Sequence, residues 1–148
     1  MEPLDLRLQR PRGPRVRLAG VVFTARAIDK MRASLPGGDL NGYFENFGFS
    51  RVWQHLTGIS LRELQTHVAE AASEDDVVAW IDGKLRDANV VRDAINDTME
   101  RATTAETPEA WRSVFEETYP PALRERFSSV FDLLEADDDR LYGTTTQA

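Results

Sequence analysis

Four helix-start signals recur between residues 60 and 121, and they constrain this chain more than any other feature. Ser60-Leu61-Arg62-Glu63 is a capping box, in which the serine hydroxyl accepts from an N–H three residues on while the glutamate reaches back. Ser73-Glu74-Asp75-Asp76 repeats the device with an acidic first turn that complements the helix dipole. Thr107-Pro108 is an N-cap with proline at the first helical position, and Pro120-Pro121 ends one helix and starts the next. Apolar stripes at helical spacing follow each start: Leu61, Leu64 and Val68; Val77, Ile81 and Leu85; Trp111, Val114, Phe115 and Tyr119; and Leu123, Phe127, Val130, Phe131 and Leu134. The second stripe stays in phase through Ile95, Met99 and Ala102, so 74–103 reads as one helix or as two joined near Gly83–Asp87.

Upstream, Leu18, Val21, Val22, Ala25, Ile28 and Leu35 predict a helix over 18–35, stopped by Pro36-Gly37-Gly38. A connection over 39–49 holds Tyr43, Phe44, Phe47 and Phe49, and a short helix from Ser50 carries Val52, Trp53 and Leu56 to Gly58. Six to seven helical segments and no convincing strand pair predict an all-α fold. At 148 residues it is a single compact domain, with a helical body over 18–140, an extended Pro/Arg-rich arm over 1–17 and a polar tail over 141–148.

The absence of cysteine removes disulfides, zinc-thiolate sites, iron–sulfur clusters and cysteine nucleophiles, and two histidines do not make a multi-histidine metal site. No phosphate loop, G-x-G-x-x-G or H-E-x-x-H occurs, and Asp137-Asp138-Asp139 lacks the glycine and glutamate spacing of a calcium loop. The acidic run starts the tail in this reading. Neither a metal nor a cofactor is expected. The start has no basic-then-apolar layout, and the apolar stretch around Gly20–Phe23 ends by Arg26, so a cytoplasmic protein without a membrane partner is expected.

The net charge of −7 is unevenly divided. Residues 1–35 carry eight basic and three acidic side chains (+5), whereas 36–148 carry ten basic and 22 acidic ones (−12). An acidic body repels phosphate backbones, and the arm lacks aromatics for base stacking, so its arginines are expected to fold back on the body rather than bind nucleic acid.

Arg26-Ala27-Ile28-Asp29-Lys30-Met31-Arg32 puts charge on a face where burial is expected: Asp29 and Arg32 share the side of Leu18, Val22 and Ala25. Arg26–Asp29 and Asp29–Arg32 are i,i+3 neighbours, and the like-charged Arg26–Lys30 pair needs an anion nearby. Such a cluster is either internally satisfied, fixing the arm or a neighbouring helix, or it faces a cleft holding an anion. In the second case Arg26, Lys30 and Arg32 recognise a carboxylate or phosphate while Asp29 orients one guanidinium. His55, beside Trp53, has no partnered nucleophile and reads as an ordinary residue. Tyr43 and its aromatic neighbours read first as the loop's own small core, with a pocket wall as the other option.

Pro11-Arg12-Gly13-Pro14-Arg15, Gly20, Ala25 to Ala33, Gly58-Ile59, Asp76-Val77-Val78-Ala79-Trp80 and Phe131-Asp132-Leu133-Leu134-Glu135 together resemble the small bacterial family catalogued as domain of unknown function 5069. Gly13 stands where that pattern has serine, and Asn41-Gly42-Tyr43 with Phe47-Gly48-Phe49-Ser50 replaces its Glu-Tyr and Cys-Pro-Leu-Asp segments. The resemblance implies a bacterial cytoplasmic protein, places Arg26, Asp29, Lys30 and Arg32 in the family signature, and supplies no activity.

These readings converge on a non-catalytic binding protein for a small anion or a protein partner, recognised by Arg26, Asp29, Lys30 and Arg32 with help from Arg12, Arg15 and Tyr43. The alternatives are a cofactor-free enzyme on a small anionic substrate, with Asp29 or His55 as base, and a helix that is purely structural or builds a homodimer. Monomer and homodimer both remain open.

Overall fold

Three serine side chains start helices in the computed structural model, which describes residues 1–144. Ser60, Ser73 and Ser129 each accept from the backbone N–H three residues on, at 3.3 Å. The described residues form α1 (Thr24–Ala33), α2 (Phe49–Thr57), α3 (Leu61–Glu70), α4 (Glu74–Asp87), α5 (Arg92–Arg101), α6 (Arg112–Thr118), α7 (Pro121–Arg126) and α8 (Val130–Tyr142). Isolated bridges occur but no strand among these residues, so the fold is all-α.

α1 is the central element. Every residue in it except Arg32 is buried, and it packs on α3. Around it Phe23, Ile28, Met31, Trp53, Leu64, Ile81, Leu85, Met99 and Phe131 form one apolar core. Trp53 donates its indole N–H to Thr24 Oγ1 at 3.0 Å, so the largest core side chain leaves no polar atom unmatched.

Five local expectations are corrected. Residues 18–22 are not helical: Leu18 and Val21 exchange both backbone hydrogen bonds (3.2 and 3.0 Å) around Ala19 and Gly20, which both have positive φ. That is a tight hairpin turn of the primed kind, and Gly20 makes it accessible where a helix was expected. The 74–103 stretch is two helices, and the break lies at 88–91 rather than within 83–87. Asn89, at φ +52°, takes the left-handed position after α4, and Val90 N–H closes onto Leu85 O. The 107–119 stretch begins with a 3-10 turn at Glu109–Trp111, so α6 starts only at Arg112. Finally, the stripe from Leu123 to Leu134 is split between α7 and α8, because Thr103 pairs with Ser129 between them. The tail also begins later than the acidic run implied: Asp137 to Tyr142 belong to α8, and residues 145–148 lie outside the described residues.

Residues 1–17 lie along the body. Leu4 and Leu6 are buried with Ala33, and Leu6 N–H donates to Asp39 O while Asp39 N–H donates to Leu4 O. The arm's arginines reach carboxylates: Arg10 to Asp139, Arg12 to Asp29 and Glu74, Arg15 to Asp132 and Glu135, Arg17 to Glu100.

Asn96 joins the 18–22 hairpin to α5. Its Oδ1 accepts from Val22 N–H and its Nδ2 donates to Gly20 O, both at 2.9 Å, and the residue is 3% exposed. Asn96→Ala strands both backbone groups and is expected to lower unfolding free energy by about 1–3 kcal/mol. Urea unfolding with an unchanged m-value reads this directly.

Candidate functional site

A cavity of about 560 Å³ opens between α1, the 41–49 connection, α8 and the segment that follows α5. α1 contributes Arg26 and Lys30, with Phe23 just before it; α8 contributes Leu133, Leu134, Asp137, Arg140 and Leu141; the connection contributes Tyr43, Phe44, Phe47 and Phe49. The loop aromatics are therefore not a separate small core. Phe49 packs edge-on against Phe23 and Phe131, whereas Phe44 and Phe47 pack on each other and Phe47 continues onto Trp111.

The remaining wall covers the cavity from outside. The chain leaves the core at Ala102 and returns at Val130, pinched at its base by Thr104 N–H to Ser128 O (2.8 Å) and Val130 N–H to Ala102 O (3.0 Å). Not one residue over 102–130 is buried. Yet Trp111, Val114, Phe115 and Tyr119 turn a helical apolar face toward the cavity. An amphipathic cover that faces a void keeps its apolar side chains half-exposed, as observed here.

Two buried charge clusters lie beneath. Arg26 (2% exposed) forks onto Asp138 (1%), with Nη1 to Oδ2 at 2.7 Å and Nη2 to Oδ1 at 3.0 Å. Tyr43 Oη donates to Asp138 Oδ1 at 2.7 Å, and Arg26 Nη1 also donates to Arg12 O. Burial pulls the Arg26 guanidinium down, but the bonds and charge of Asp138 outweigh it and the net shift is upward. Burial and the adjacent Asp138 hold the Tyr43 phenol well above its usual range. In the second cluster Asp29 is saturated from the arm: it accepts from Arg12 N, Nε and Nη2 at 2.8, 3.1 and 2.9 Å, and Arg12 continues to Glu74. The i,i+3 pairings of Asp29 with Arg26 and Arg32 do not form; the arm supplies the guanidinium instead.

The predicted site residues thus separate. Arg26, Lys30 and Tyr43 line the cavity, while Arg12, Arg15, Asp29 and Arg32 do not. Arg32 donates Nε to Glu2 O, and Arg15 meets Asp132 and Glu135. His55 is exposed on α2, outside the cavity.

Lys30 is the exception among these cations. It is 7% exposed, and no carboxylate lies within ion-pair distance of it among the described residues. Its Nζ sits 5.1 Å from the centroid of the Phe23 ring. Burial pushes the ammonium down, the Arg26 charge adds to this, and Asp138 and Glu45 oppose it, leaving the amine at about 7. By contrast Arg140 of the same cavity is held by Asp137 at 2.6 Å. Burial pushes the Asp137 carboxyl up, against Arg140.

Sequence reasoning missed Asp137, Asp138 and the covering aromatics as site residues. The signal for Asp138 was present: Phe131, Leu134, Asp138 and Leu141 recur at steps of three and four, so the acidic residue occupies an inward position of α8.

Fold and site together define an all-α domain whose charged central helix borders a covered aromatic cavity. The chain belongs to the family described as a domain of unknown function (DUF5069), whose profile matches residues 8–140, from the arm to the cavity's Arg140. No curated protein matches the chain.

Proposed function

We propose that this is a small-molecule-binding protein whose cavity takes an amphipathic organic anion, its carboxylate at Lys30 and its apolar body against Phe47, Phe49, Trp111 and Phe115. A bacterial origin and a cytoplasmic address belong to the same reading and are supported by the family's pattern. The observation that carries it is Lys30: of the cavity's cations, Arg26 and Arg140 already have carboxylates, and the lysine ammonium does not. The cavity's size falls within the ~300–1,000 Å³ range of ligand pockets, and few polar groups converge on its apolar walls.

The charge state of Lys30 ties affinity to pH. A carboxylate favours the ammonium, so above about pH 7 binding takes up a proton and weakens by roughly tenfold per unit. Titration with octanoate and with 1-octanol, followed by tryptophan fluorescence, tests the reading. Trp111 lines the cavity, whereas Trp53 is buried in the core and Trp80 lies on α4, and Trp111→Phe removes the response. Octanoate is expected to bind about tenfold or more tightly than octanol at pH 6, and Lys30→Met to erase the difference. Equal affinities for the two in the unsubstituted protein would overturn the proposal.

A further inference from the structure

We infer that Lys30 is a nucleophilic amine, and that the cavity admits an apolar aldehyde or ketone which it captures as an imine. The inference rests on the cavity being a ligand site, but not on that ligand being an anion.

Three structural features converge on this one nitrogen. It is only 7% exposed, so little water solvates the ammonium form. Among the described residues no carboxylate lies within ion-pair distance of it, and the Phe23 ring face is a weaker partner than an ion pair. And Arg26, one helical turn earlier, is fixed by two hydrogen bonds to Asp138, which keeps a permanent positive charge beside it. Apolar enclosure and an adjacent cation are the two conditions that free a lysine lone pair for attack on carbonyl carbon. The other charged and titratable groups facing this region are Asp137, Asp138 and Arg140 on α8, Tyr43 and Glu45 on the connection, and Glu106 and Tyr119 on the cover. Asp137 and Arg140 neutralise each other, and Asp138 is engaged by Arg26 and Tyr43. Tyr119 is half-buried as a residue, but the cavity wall desolvates its hydroxyl and pushes the phenol up to about 12, so it stays neutral and adds no anion.

With its amine at about 7, Lys30 is about half uncharged at neutral pH. An ordinary lysine near 10.4 has roughly one molecule in 2,500 in that form. The chain's other lysine, Lys84, lies on the surface, 3.8 Å from Glu63. In the reaction the Nζ lone pair adds to the carbonyl carbon while the C=O π pair moves to oxygen, and one amine proton transfers to that oxygen. The resulting carbinolamine loses its hydroxyl together with the second amine proton as water, leaving a C=N bond. No oxidant or reductant is consumed. The neutral imine nitrogen takes the amine's place beside the Phe23 ring and, on taking up a proton from solvent, becomes the iminium that cyanoborohydride reduces.

Octanal with sodium cyanoborohydride, which reduces imines to stable amines, provides the test. The intact folded chain is labelled over pH 6–10 and the adduct mapped by peptide mass spectrometry. Lys30 is expected to be labelled about tenfold or more faster than Lys84 at pH 7, with a half-maximal rate near pH 7. Lys84→Arg keeps the adduct and Lys30→Met loses it. The α-amino group, which donates to Val68 O and Ala71 O, serves as a second internal reference. An adduct on Lys84 or the α-amino group with Lys30 unlabelled overturns the inference. The two proposals fail separately: octanoate binding without a Lys30 adduct removes this one alone, and a Lys30 adduct without octanoate binding removes the anion reading alone.

Discussion

Replacing Arg26 with methionine is expected to lower the unfolding free energy by about 3–5 kcal/mol, the largest loss from any single charge in the chain. The reason is what it leaves behind. Asp138 is 1% exposed, and without the guanidinium fork its carboxylate retains, among the described residues, the Tyr43 hydroxyl and Arg10 at 3.9 Å. An isolated buried carboxylate costs far more than the pair gained, because the two desolvation penalties were offset only by their mutual attraction. The double variant Arg26→Met/Asp138→Leu is expected to recover most of the loss, since an apolar pair of similar volume has no charge to desolvate. Urea denaturation of the single and double variants forms the measurement. A single variant within about 0.5 kcal/mol of the parent would mean that the pair is not the buried strut its geometry indicates.

Lys30→Met moves stability the other way. The lysine's folded value of about 7 lies below its ordinary 10.5, so the folded protein binds this proton less tightly than the unfolded chain. Below about pH 7 both states are protonated and the folded state carries the full penalty of an unpaired buried ammonium. Between pH 7 and 10.5 the unfolded chain holds more protons, stability therefore rises with pH, and the penalty is largely relieved above that window. The shift corresponds to a ceiling of about 5 kcal/mol, which relaxation and water entry reduce. The methionine variant is expected to be about 2–4 kcal/mol more stable at pH 6, with the gain shrinking to about 1 kcal/mol or less by pH 10. Unfolding curves at three pH values check this, and a gain independent of pH would sink the argument. A residue that weakens the fold and is nonetheless placed at a cavity is the stability–activity conflict expected of a binding or reacting group.

The two variants act on neighbouring turns of the same helix in opposite directions, and the sequence shows why only partly. Helical phase put Asp29 and Arg32 on the inward side; Asp29 is buried at 4% but Arg32 is not, whereas Arg26 and Lys30, at 2% and 7%, lie off that stripe and are buried because the helix is covered almost all round. The starts of α3 and α4 were equally readable, because a capping serine and its acceptor geometry involve residues three apart. The 18–22 hairpin was not, since Leu18, Val21 and Val22 satisfy a helical stripe and a tight apolar turn alike. Nor was the cover over the cavity. Trp111, Val114, Phe115 and Tyr119 form an ordinary amphipathic face, and periodicity does not say whether the opposing surface is core or void.

The starts of α3 and α4 and the inward place of Asp29 were thus determined by the sequence, because caps and stripes operate within one or two turns. Which charge meets which was decided by the tertiary structure. Arg26 pairs with a carboxylate 112 residues away rather than with Asp29 one turn along, because the arm delivers Arg12 to Asp29 first and α8 turns Asp138 inward. With Asp29 and Asp138 both taken, no carboxylate among the described residues pairs with Lys30. Its solitary state is a consequence of acceptors counted in three dimensions, and local spacing along the chain does not contain that count.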